Sequence, residues 1–117
     1  MEAPGAVLSM SALAHEGRLA VFRLLIQAGP EGKAAGDIAR ATGAPPSTLS
    51  TNLNILSGAG LIASRREGRS IIYTAAYERM RHLLAFLMED CCAGRPEICA
   101  PLALVASQPC VSQGLAC

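Results

Sequence analysis

The stretch PPSTLSTNLNILSGAG, residues 45–60, decides the fold. It opens on two prolines, the second placed where the first turn of a helix needs no amide hydrogen, and then sets Leu49, Leu53 and Leu56 at i, i+4 and i+7. That spacing predicts a helix with one apolar stripe. Its other face is Ser47, Thr48, Ser50, Thr51 and Asn54, all small and polar, and Gly58 and Gly60 close it.

Working outward, the segment KAAGDIARATGA puts Ala35, Ile38, Ala39 and Thr42 on one face before Gly43, which predicts a second, shorter helix. Two helices across a tight glycine-containing turn have the form of a helix-turn-helix, whose second helix can enter a major groove. Downstream, the β-prone runs LIAS and SIIYTA flank RREGR and predict a two-stranded hairpin with Gly68 in its turn. Its tip carries Arg65, Arg66 and Arg69 against Glu67, a net charge of about +2, and a basic hairpin in this place reads as a wing.

Two further segments are helical in period. SALAHEGRLAVFRLLIQAG predicts one amphipathic helix ended by Gly29-Pro30, with room for a shorter one before it. AYERMRHLLAFLMEDCC carries an apolar stripe of Met80, Leu83, Leu84, Leu87 and Cys91, and Gly94 and Pro96 stop it. The expected architecture is mainly α with a small β-hairpin, a winged helix-turn-helix. Residues 1–92 are expected to form the DNA-binding and dimerisation domain, and residues 93–117 a cysteine-containing tail.

Composition excludes several classes. A chain of 117 residues with 51% apolar content is about one domain with a real core. Ten Lys and Arg against nine Asp and Glu leave +1, so any nucleic-acid contact must come from local charge. Aromatic content of 3% without tryptophan argues against readers of single strands, which need stacking platforms. No apolar run approaches a membrane span, and the first residues lack the basic start and long apolar core of a signal peptide. A cytoplasmic protein without a membrane partner is expected. In that reducing compartment five cysteines read as thiolate ligands or redox centres rather than structural disulfides.

A polar helix face alone is as consistent with plain solvation as with DNA. The combination with a wing points to duplex DNA: the hydroxyl and amide side chains can bond phosphates or base edges, and the arginines can neutralise backbone charge. The residues also carry a resemblance. ALAHEGRLAVFRLL followed by DIARATGAPPSTLSTNLNILSGAGLIASRREGRSIIYTA resembles the ArsR/SmtB family of winged-helix, metalloid-responsive repressors over residues 11–92, most of the chain. The most specific pieces are Leu13-Ala14-His15 with Arg18, residues 47–56, Ala59-Gly60-Leu61 and the REGR…Y wing. The family often has histidine where Asn52 stands, a difference that bears on base preference rather than on fold. Members with a thiol box before the recognition helix carry cysteines there, and GKAAGDIARATG has none.

The other concentration of ligands is EDCCAGRPEIC, residues 89–99, with Cys91, Cys92 and Cys99. Thiolates select thiophilic ions, and trivalent arsenic takes three sulfurs in a pyramid without a fourth ligand. The resemblance implies the same site, since similar members place a cysteine pair and a third cysteine at the end of the last helix. It also implies a homodimer through the first and last helices, with Leu83, Leu84 and Leu87 as candidate contacts. The expected inducer is arsenite, As(III), with Sb(III) by the same chemistry. Gly94 and Pro96 are expected to let the three thiols meet.

Other readings compete. Cys91 continues an apolar stripe and alone would read as a small core residue. A structural zinc site needs four ligands, which a vicinal pair supplies poorly. A disulfide between Cys99 and a neighbour could act as a redox switch, and the Cys91–Cys92 pair alone could take a methylated arsenical. Cys110 and Cys117 read as incidental, and His15 and His82 as structural. Catalysis is not expected, because in CCAGRPEIC Arg95 stands too close to Cys92 for a phosphate-type loop and no glycine-rich cradle follows a strand.

Overall fold

A computed structural model describes residues 1–89. The helices are α1 (Ala3–Leu13), α2 (Glu16–Ala28), α3 (Ala35–Thr42), α4 (Pro46–Gly58) and α5 (Tyr77–Leu87), and the strands are β1 (Lys33–Ala34), β2 (Ile62–Glu67) and β3 (Ser70–Ala75). The sheet is antiparallel in the order β1-β3-β2. Helix-turn-helix, wing and closing helix follow in the expected order, which makes the fold a winged helix-turn-helix.

The apolar stripes do the assembling. Val21, Phe22 and Leu25 of α2, Ile38 of α3, and Leu49, Leu53 and Leu56 of α4 meet Leu61 and Ile62 in one core. Leu25, Ile38, Leu56 and Leu61 are wholly buried, each contributing about 1.5–3 kcal/mol of apolar burial. α3 ends at Gly43 in the left-handed conformation (φ 68°), whose amide caps Ala39 O. The chain therefore turns into α4 within three residues.

The hairpin closes as Glu67 pairs with Ser70 across a two-residue turn. Gly68 supplies its positive φ of 61°. The third strand, which the hairpin pattern does not reveal, pairs Lys33 with Tyr73 and Ala34 with Ile72. Gly32 leads into it at φ 70°, and a Cβ there would fall 2.3 Å from Tyr73 O.

Two expectations are corrected. Residues 11–28 do not form one helix: α1 stops at Leu13, Ala14 leaves the helical region (ψ 52°), and His15 starts α2 as its N-cap, so the shorter helix for which the sequence leaves room is α1, of 11 residues against 13 in α2. Leu83 is 6% exposed and belongs to the interior, so of the three leucines only Leu84 and Leu87 face outward. α5 ends at Leu87, before Cys91; the tail of residues 93–117 and all five cysteines lie outside the described residues.

Candidate nucleic-acid interface

α4 starts where Pro45 holds the extended conformation (φ −59°, ψ 150°) and Pro46 takes the first helical turn. Because Leu49, Leu53 and Leu56 are pulled into the core, the opposite face of the helix is turned outward. Ser47, Thr48, Ser50, Thr51 and Asn54 are all exposed, as the spacing predicts. Thr51 Oγ1 donates to Ser47 O at 3.0 Å. The other four side chains make no hydrogen bond among the described residues, so their donors and acceptors are open to a ligand.

Asn52 is 4% exposed and packs toward α2, behind the outward row of α4. Its Nδ2 lies 3.1 Å from where a Cβ on Gly17 would sit, which is why glycine fits at that crossing.

The three wing arginines separate into two roles. Arg65 turns back along the hairpin: its Nη2 donates to Glu31 O at 2.8 Å, its Nη1 to Pro30 O at 3.3 Å, and its Nε to Glu67 Oε1 at 2.9 Å. It clasps the wing to the loop between α2 and β1. Arg66 and Arg69 are exposed and make no ion pair among the described residues, so they are the charges the tip presents. Sequence reasoning groups all three because the carbonyls that hold Arg65 lie 34 and 35 residues away.

Other contacts fix this face to the scaffold. His15 Nδ1 accepts from the amides of Gly17 and Arg18, and Arg18 Nε donates to Ala12 O at 2.6 Å, so the α1–α2 corner is held by side chains. Tyr77 donates its hydroxyl to Ile26 O at 3.0 Å. Arg79 Nε donates to Ala59 O at 3.2 Å, at the C-terminal end of α4. None of these roles is visible in periodicity, since each bond reaches another element or rounds a corner.

Among the described residues no three His, Cys, Asp or Glu side chains come together as a metal-binding group. No helix of the described residues is long and apolar enough to cross a membrane. Cys91, Cys92 and Cys99 fall outside them, as do Gly94 and Pro96.

Residues 13–65 match a family described as a helix-turn-helix domain. The HTH-type transcriptional regulator YgaV of Escherichia coli is 31% identical over 83 residues, 71% of this chain and 82% of that protein. The uncharacterised HTH-type transcriptional regulator Rv0081 of Mycobacterium tuberculosis is 34% identical over 74 residues, and the chain spans only 62% of its length. Among solved structures, the homodimeric winged helix-turn-helix DNA-binding domain of a possible ArsR-family regulator from Mycobacterium bovis superposes with a TM-score of 0.60 at 32% identity. That match covers 73% of this chain and 77% of the other.

Proposed function

The chain belongs to the winged helix-turn-helix transcriptional regulators of ArsR type, and from that premise we propose a homodimeric repressor whose hold on operator DNA is broken by trivalent arsenic. The observation that carries the DNA half is the row of open hydroxyl and amide groups on α4 beside a wing whose Arg66 and Arg69 are unpaired among the described residues. A helix with that face can lie in a major groove while the two guanidinium groups meet backbone phosphates.

The dimer reading is supported by apolar surface on the first and last helices. Val7, Leu8 and Met10 of α1 and Leu84 and Leu87 of α5 are between 39% and 60% exposed, too many large apolar side chains for two helices to leave in water. The solved Mycobacterium bovis relative is described as homodimeric. A two-fold axis through such a face sets two copies of α4 about 34 Å apart, one turn of duplex.

The sensor reading rests on the thiols. All five cysteines follow Glu89, so the winged helix carries none of its own. Arsenous acid exchanges three hydroxyls for three thiols of Cys91, Cys92 and Cys99, releasing three waters and forming three As–S bonds. Antimonite reacts the same way. Ligation a few residues beyond α5 alters the end of the dimer helix, and a coupling of about 1–3 kcal/mol lowers operator affinity roughly 5- to 150-fold.

The test is a fluorescence-anisotropy titration with a duplex from upstream of the protein's own gene, under reductant, with one equivalent of arsenite per subunit. Wild type releases the duplex and Cys92→Ser retains it. Release by the Cys92→Ser protein refutes the arsenite site. Release of wild type by peroxide but not by arsenite makes the same cysteines a redox switch. A Cys99→Ser protein that answers only methylated arsenicals assigns sensing to the Cys91–Cys92 pair.

A further inference from the structure

A groove of about 320 Å³ runs between the first turn of α2 and the outer face of α4, lined by His15, Arg18, Ser47, Thr48, Thr51 and Asn52. Its chemistry is one-sided. Because His15 Nδ1 accepts two amide hydrogens, at 3.1 Å and 3.3 Å, the ring carries its proton on Nε2 and that edge is a donor. Arg18 uses Nε on Ala12 O and leaves its terminal nitrogens without a partner among the described residues. The hydroxyls of Ser47 and Thr48 are likewise open. No carboxylate lines the groove: Glu16, the acidic residue of that helical turn, is not one of its walls.

Asn52 adds a further donor. It is 4% exposed and lines the groove, and its amide makes no hydrogen bond among the described residues. Ser9 Oγ is the only fully buried side-chain polar atom without a partner among the described residues, so the Asn52 amide is not sealed from solvent and its donors are open to an acceptor entering the groove. The donors converge where the positive end of the α2 dipole lies, so the acceptor they suit is an oxyanion.

We propose that this groove seats a backbone phosphate of the duplex. Asn52, the Nε2 edge of His15 and the Arg18 guanidinium donate to its non-bridging oxygens, while the Ser47 and Thr48 hydroxyls close one side. The proposal rests on the DNA-binding reading and extends it to α2, which lies outside the helix-turn-helix. Such a contact carries no sequence information. It fixes the depth and register at which α4 lies in the groove.

The test uses the full chain with two probes, the duplex from upstream of its own gene and a random duplex of equal length. Asn52→Ala is expected to weaken binding to both by the same factor, about ten-fold, with the melting temperature nearly unchanged. Arg18→Gln is expected to flatten the dependence of log affinity on log salt by roughly 2 for a dimer, about 0.9 for each of two phosphates. If Arg18→Gln does not fold, Asn52→Ala decides. Unchanged binding by Asn52→Ala overturns the proposal and leaves the DNA-binding reading intact. A loss confined to the operator duplex makes Asn52 a determinant of base reading and also overturns it. Wild type that binds neither duplex removes the DNA-binding reading itself, and this proposal with it. Inorganic phosphate that shifts the Gly17 and Arg18 amide resonances, without any effect of Asn52→Ala on DNA, makes the groove a free-anion site and overturns the assignment to DNA.

Discussion

Replacing Arg65 with alanine removes a clasp, and its effect should differ in kind from that of removing either neighbouring arginine. The side chain is 43% exposed and makes two hydrogen bonds to backbone carbonyls, at 2.8 Å and 3.3 Å, besides its pair with Glu67. Bonds from a charged donor are worth more than neutral ones, but solvent screening here reduces them to about 0.5 kcal/mol each. The exposed pair with Glu67 adds about 0–1 kcal/mol. The total is about 1 kcal/mol, which lowers the melting temperature of a folded unit of this size by roughly 4–8 °C. Melts are compared at one protein concentration, since a dimer's midpoint depends on it.

The DNA readout separates positioning from contact. Arg66→Ala or Arg69→Ala removes a phosphate charge from each subunit and flattens the salt dependence by roughly 1.8. Between 50 and 200 mM salt, wild type then loses about ten-fold more affinity than either variant. Arg65→Ala frees the wing without removing a contact, so its affinity falls by a similar factor at every salt concentration and its slope stays near wild type. Anisotropy titrations across that range, together with a thermal melt, measure both. If Arg65→Ala flattens the slope as much as Arg66→Ala does and melts at the wild-type temperature, the clasp is not what Arg65 contributes.

Two other perturbations follow from the packing. Glutamate at both Leu84 and Leu87 puts two charges per subunit on the exposed apolar face, and sedimentation should show a folded monomer with sharply weakened operator binding; a persisting dimer would place the interface elsewhere. Gly32→Ala forces a side chain into a left-handed position and against Tyr73 O, so chemical denaturation should show a loss of more than about 2 kcal/mol, and an unchanged midpoint would refute the β1–β3 geometry.

The parts of the molecule legible in the sequence are those built from local signals. Pro45-Pro46, the leucines at 49, 53 and 56, and Gly68 each act through their own stretch of backbone, and so helix-turn-helix and wing were readable before any contact was known. α1 was not. Val7, Leu8 and Met10 follow almost without interruption on a helix whose buried residues are Ala6, Ser9 and Ala12, so its apolar residues give no clear 3.6-residue stripe. The α1–α2 break was hidden because histidine is not among the preferred N-cap residues. The clasp of Arg65 and the burial of Asn52 are not legible for a common reason: the groups they meet, the carbonyls of Pro30 and Glu31 and the crossing at Gly17, lie more than thirty residues away. The readings on the cysteines all fall beyond Glu89, outside the described residues.

The bond from Arg79 to Ala59 gives the molecule a mechanical property. It joins α5 to the C-terminal end of α4, and a Cβ on Gly60 would fall 3.0 Å from the same guanidinium. α4 has 13 residues and is therefore about 20 Å long. A pivot at one end of a rod that long magnifies rotation at the other: a tilt of about 10° sweeps the Ser47 end through roughly 3.5 Å, more than the length of a hydrogen bond. By geometry alone, any rotation about the Ala59 end would move the Ser47 tip of α4 the most and the residues beside α5 the least.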